Sequence, residues 1–182
     1  MLQEKDVINM NMAVSLASEM ARPVDLIYIL QSIGLTILFV GLIGYERQRR
    51  NKIAGLTTHL LVALGAAGLT MVQQYMVYDA IKFVEEMAKV NPEVVYHVTI
   101  ERQRIVAQIV SGIGFLGTGA IIKTNGYISG LTTASTLWIG AIIGIIFGYG
   151  LYWLGITLSL STLFVLTIIK NFFRHAVEDP HH

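Results

Sequence analysis

Residues 124–169 contain no Asp, Glu, Lys or Arg, and few folds can hold such a run. A helix on a soluble domain buries one face and needs polar residues on the other, whereas a run without a charged face calls for apolar surroundings on every side. Roughly 20 apolar residues, rising 1.5 Å each, cross a hydrocarbon core about 30 Å thick. The run is too long for one crossing and fits two, hinged at Gly148-Tyr149-Gly150. Three further runs free of these residues come before it, and the expected fold class is an all-α membrane bundle of about five transmembrane helices. The spans are expected at 26–45, 54–78, 105–122, 130–147 and 151–169.

Composition agrees, with 54% hydrophobic and 14% charged residues, a ratio that a soluble domain of this size would struggle to keep in solution. A net charge of +1 leaves no electrostatic footprint for a nucleic-acid partner. The absence of cysteine excludes disulfides, thiolate metal sites and thiol nucleophiles. The expected partner is the lipid bilayer itself.

Lys and Arg placement sets the expected orientation, because basic loops stay on the cytoplasmic side. The loop after the first span carries Arg47, Arg49, Arg50 and Lys52 against Glu46 and is read as cytoplasmic. The N-terminal segment 1–25 is acidic on balance and is read as extracytoplasmic, without the basic start of a cleavable leader. An amphipathic segment over 79–101, interrupted near Asn91-Pro92, is expected to lie at the outer interface, and 7–20 shows a weaker version of that pattern. The tail 170–182 falls on the cytoplasmic side, and its terminal His181-His182 reads as a tag remnant.

Gly55-Leu56-Thr57-Thr58 recurs as Gly130-Leu131-Thr132-Thr133, at an offset of 75 residues. The same offset matches Gly65-Ala66 to Gly140-Ala141 and Gly44 to Gly119 without a gap. Spans one and two, and spans three and four, therefore read as two units of parallel topology, with the fifth span as an addition. Each Gly-Leu-Thr-Thr opens a helix, where threonine hydroxyls either cap the free N–H groups or join them in holding an anionic group. Glu46, Arg47, Thr58, Lys123, Asn125 and Thr133 lie near these starts in sequence.

Other patterns weigh against chemistry. Gly112-Ile113-Gly114-Phe115-Leu116-Gly117 spells a dinucleotide-binding pattern, but inside an uncharged span and not in a strand-to-helix turn. With Gly119 it reads as a helix-packing groove, and Gly140, Gly144 and Gly148 form a similar stripe on span four. Arg104 and Gln108 share one helical face with Gly112, and Arg104 either points inward or snorkels to the headgroups. Glu46 either pairs with Arg47 in the loop or is drawn into the bundle. His59 reads as an interhelical hydrogen-bonding residue, with no second ligand at metal spacing. His97 and Glu101 share helical spacing in a segment read as solvated. No metal or cofactor site and no hydrolytic constellation is legible, so the chain reads as a non-enzyme, with lipid chemistry the least supported alternative.

Two blocks stand out along the chain. The first runs from Gly44-Tyr45-Glu46-Arg47-Gln48 through Ala54-Gly55-Leu56-Thr57-Thr58 to Leu61-Val62-Ala63-Leu64-Gly65-Ala66. The second runs from Arg104-Ile105-Val106-Ala107-Gln108 through Gly117, then Gly130-Leu131-Thr132-Thr133-Ala134 and Leu137-Trp138. Together they resemble the motif blocks of the MgtC/SapB membrane proteins. Thr57 stands where the family often has arginine, which removes a cation from the focus at the helix starts. The chain also stops before the soluble C-terminal domain of better-known members. The resemblance implies a bacterial inner-membrane protein tied to magnesium limitation and, in pathogens, to survival inside macrophages. It further implies a regulator acting through other membrane proteins, the ATP synthase among them.

Two functions are expected on these grounds. One is a regulator that binds a partner membrane protein, or a second copy of itself, through its glycine stripes. The other is a small ion or solute transporter with Glu46, Arg47, Thr58, Arg104, Gln108 and Thr133 lining one polar site between the repeats.

Overall fold

The computed structural model describes residues 23–90, 103–124 and 126–169. The segment 1–22, residues 91–102, Asn125 and the whole tail 170–182 lie outside the described residues, as do the expectations placed on them. The elements in chain order are α1 (Leu26–Arg49), α2 (Leu56–Val90), α3 (Arg104–Gly119), β1 (Ile122–Thr124), β2 (Tyr127–Ser129), α4 (Leu131–Gly148) and α5 (Tyr152–Phe164), which ends in a π-helical turn, Val165–Ile169. The expected all-α helical bundle is the fold. Helices α1, α2 and α4 are long and apolar enough to cross a membrane, while α3 and α5 are apolar but shorter.

Two stretches differ from the sequence-based expectation. Residues 79–90, the described part of the segment expected over 79–101, are not a separate interfacial helix, because α2 runs unbroken for 35 residues to Val90. No Gly or Pro interrupts it between Gly68 and Asn91-Pro92, and Glu85 bridges Lys82 and Lys89 at helical spacing. At about 52 Å, α2 is longer than the hydrocarbon core, so its charged end extends past it. The third span also ends early, at Gly119, and a small antiparallel hairpin pairs Ile122 with Ser129 and Thr124 with Tyr127. Asn125-Gly126 is a dipeptide that favours the tightest hairpin turns.

The chain re-enters the bundle at Gly130, whose φ of +87° suits glycine and whose Cβ would collide with the Ala120 carbonyl. The break between α4 and α5 falls where the sequence places a hinge. Gly150 has φ +72° beside the Tyr28 ring, and the Tyr28 hydroxyl donates to the Gly148 carbonyl.

At the centre, the two helices that begin with Gly-Leu-Thr-Thr run parallel and touch backbone to backbone. Gly144 lies against the Ala63 carbonyl, and a Cβ on Gly148 would stand 2.7 Å from the Ala67 carbonyl. Around this seam, α1 and α5 pack Val40, Ile43 and Leu166 against Ile143 and Phe147. On the other side, α3 runs antiparallel to α4, with Ile109 and Ile113 against Ala66, Ala141 and Ile145.

The repeat is visible in chain direction and lost in packing. A Cβ on Gly44 of α1 would stand 2.8 Å from the Leu56 Cα, whereas one on its counterpart Gly119 would meet nothing within 4 Å. A Cβ on Gly140 would stand 3.4 Å from Val40, whereas its counterpart Gly65 faces open space.

These contacts separate the glycines by what a side chain would cost. Gly144→Leu forces backbone apart in a packed seam and should lower stability by about 1–3 kcal/mol or more. A Cβ on Gly114 meets nothing within 4 Å, so Gly114→Leu should leave stability within about 0.5 kcal/mol. Thermal unfolding of both variants in detergent checks the contrast.

Candidate functional site

The close crossing at Gly44 fixes where the first polar residues of the bundle go. One turn beyond it, Arg47 is wholly buried at 0% exposure and Glu46 nearly so. Arg47 Nε donates to Glu46 Oε2, the Arg47 Nη2 pairs with the same oxygen, and Arg50 Nε reaches Glu46 Oε1 at 2.5 Å. Glu46 is thus held between two arginines. Arg47 Nη1 is buried without a hydrogen-bond acceptor among the described residues. A buried donor of this kind is costly unless an acceptor reaches it.

Beside this ion pair, α2 contributes His59, which is buried and lies within the electrostatic reach of both Arg47 and Glu46. Its Nδ1 is 2.8 Å from the Gly55 carbonyl, which can only accept, so Nδ1 carries a proton. Its Nε2 is 3.0 Å from Thr136 Oγ1 on α4, and that hydroxyl is also 3.0 Å from the Thr133 carbonyl. In the neutral imidazole, Thr136 donates to Nε2. In the imidazolium, Nε2 donates to Thr136, whose own proton turns to the Thr133 carbonyl. The chain of groups satisfies either state by rotating one hydroxyl, an arrangement able to take up or release a proton without repacking.

The six residues assigned to one polar site from sequence do not all meet. Glu46 and Arg47 belong to this centre, and Thr133 is buried at its edge. Thr58 is exposed. Neither Gly-Leu-Thr-Thr caps its helix through a hydroxyl: the Leu56 N–H donates to Gln48 Oε1 at 3.1 Å, and the Gly130 cap has no side-chain bond. Arg104 and Gln108 sit at the opposite end of α3, lining an apolar groove of about 760 Å³ between α2 and α3. Because α3 is antiparallel to α4 and Gly117 abuts Ala134, Arg104 stands roughly 20 Å along the bundle from Thr133. Among the described residues, no group of three or more His, Cys, Asp or Glu could hold a metal ion.

The assigned packing glycines divide in the same way. Gly140, Gly144 and Gly148 are used inside the chain, and Gly117 touches Ala134, while Gly112 and Gly119 face open space. Sequence reasoning missed Thr136, although a threonine three residues after Thr133 in an apolar span lies on the same helical face. Arg50, four residues after Glu46, was legible by the same rule. A second polar layer, Ser32, Thr36, Thr70 and Ser159, is buried deeper. Thr36, Thr70 and Ser159 bond back to carbonyls four residues earlier on their own helices, so their hydroxyls are satisfied without a ligand.

A family model for the MgtC family matches residues 33–175, which include every residue of this centre. The chain belongs to the MgtC family. It is 40% identical over 137 residues to "Putative magnesium transporter YhiD" of Escherichia coli (strain K12), covering 75% of this chain and 58% of that one. It is 38% identical over 131 residues to "Protein MgtC" of Brucella abortus (strain 2308), covering 72% of this chain and 45% of that one. It is 36% identical over 125 residues to "Protein SapB" of Bacillus subtilis (strain 168), covering 68% and 49%. The chain thus spans about half the length of the curated relatives it matches. No solved structure matches it.

For this MgtC-family chain, the hydrogen-bond chain at His59 makes Thr136 its most informative position. Thr136→Val keeps the shape and removes the partner of Nε2, which should cost about 1–3 kcal/mol. Nitrogen NMR of the imidazole should show the Nε2 resonance moving while Nδ1 stays protonated.

Proposed function

We propose that the protein is a non-enzymatic membrane regulator of ion homeostasis that acts by binding a partner membrane protein along α3. The carrying observation is the face of α3 that turns away from its own bundle. Ala107, Ser111, Gly114, Phe115 and Thr118 follow one another at helical spacing and are all exposed, Phe115 at 81%. Small residues flanking an aromatic knob let a second helix approach closely in lipid, where packing is the main source of affinity. The glycine stripe of α4, the sequence-based choice for this role, is consumed by α2 and α1, so the contact surface moves from α4 to α3.

The second reading, a small transporter, draws on the buried Glu46–Arg47 pair with His59, and on the name of the Escherichia coli relative, "Putative magnesium transporter YhiD". Ionisable groups inside a membrane bundle mark ion or proton pathways in many proteins. A bare divalent cation asks for several hard oxygen ligands, and the one carboxylate of this centre is already shared by two arginines. That balance favours the regulator.

Affinity capture from membranes of magnesium-limited cells should recover a partner membrane protein with the native chain and lose it with Gly114→Leu at unchanged protein level. Equal recovery with both would count against the α3 face. Purified protein in liposomes should pass no more magnesium or protons than empty vesicles, and flux above that background would establish the transporter instead.

A further inference from the structure

A separate feature, distinct from the ionic centre and bordering the partner face, is the groove between α2 and α3. Its walls carry Leu61, Gly65 and Leu69 on α2 and Arg104, Gln108 and Gly112 on α3. Its floor is closed by Ala66, Ile109 and Ile113, which pack on α4. The geometry points to a binding site for one anionic phospholipid, with acyl chains along the Gly65 and Gly112 walls and the phosphate at Arg104 and Gln108.

Three observations select this occupant. The first is length. The groove follows α3 from Arg104 to Leu116, about 18 Å at helical rise, which matches one leaflet of a hydrocarbon core about 30 Å thick. The second is its lining. Apart from Arg104 and Gln108 the walls are aliphatic side chains and glycine, a surface that flexible hydrocarbon can follow.

The third is chemistry along its axis. The wall is apolar except at one end, where a guanidinium and an amide stand four residues apart on one face. They sit at the start of α3, where the cap residue Gln103 makes no side-chain cap bond. Helix start and cation both favour a negative headgroup. With 16 residues, α3 is about 24 Å long, shorter than the hydrocarbon core, which draws headgroups towards its end.

The glycines make the idea testable without disturbing the fold. Nothing lies within 4 Å of a Cβ placed on Gly65 or Gly112, so a leucine at either position extends into the groove from an unobstructed Cβ. Protein reconstituted in phosphatidylcholine vesicles is probed with phosphatidylglycerol or phosphatidylcholine, each spin-labelled near the end of an acyl chain. Electron paramagnetic resonance reads the fraction immobilised by protein. The native chain should prefer phosphatidylglycerol by about fivefold, the equivalent of one basic residue near an anionic surface. Arg104→Gln should abolish the preference.

Gly112→Leu should reduce the immobilised fraction at an unchanged thermal transition, and Gly65→Leu provides the same reading from the other wall should Gly112→Leu alter folding. Equal affinity for the two lipids would overturn the proposal. So would an immobilised fraction indifferent to both leucines, or a dimer that these substitutions dissociate, which would assign the groove to a second copy.

Discussion

The backbone contact between α2 and α4 holds everything else in position. In lipid there is no hydrophobic drive to bring two apolar helices together, so association rests on close packing and on the few hydrogen bonds that close packing allows. Gly144 and Gly148 remove the side chains that would hold the helices apart, and Ala63 and Ala67 present carbonyls at that distance. Once the seam is set, Thr136 faces His59 across it at hydrogen-bonding distance. Had the helices been spaced by leucines, those two side chains could not meet.

The ionic centre depends on a second close approach, of α1 to the start of α2 at Gly44. This crossing turns Arg47 into the bundle and away from water. A buried guanidinium is costly unless paired, and Glu46 offsets it while also meeting Arg50 from the margin. The centre is asymmetric for a reason found in the second repeat. There, the residues after α3 form a hairpin and the equivalent glycine, Gly119, meets nothing. The position equivalent to Arg47 is Ile122 in β1. One repeat therefore carries the charge, and the other carries the hydroxyls that its histidine uses.

The same asymmetry opens the groove. In the first repeat, α1 seats Val40 on Gly140. Its counterpart in the second repeat is Phe115, which turns outward, leaving Gly65 uncovered. A repeated sequence with unequal packing thus yields a closed polar centre on one side of the seam and an open apolar groove on the other.

Much of the fold was legible because a membrane core leaves little choice: uncharged runs of sufficient length become helices, since only internally bonded backbone is tolerated there. The hinge at Gly148-Tyr149-Gly150, the parallel direction of the two Gly-Leu-Thr-Thr helices and the family all follow from residues in order along the chain. The hairpin and the full length of α2 were less legible, because both sit where the chain leaves the apolar core and hydropathy stops deciding. The site was half legible: Glu46 and Arg47 stood out as charges beside a span, but Thr58 and Thr133 look alike in sequence and differ in burial. Sequence determined which residues form long apolar helices and the order in which they follow one another. Only tertiary structure decided which faces meet, because rotation of a helix about its own axis leaves its hydropathy unchanged, and close contacts between glycines and backbone fix that rotation.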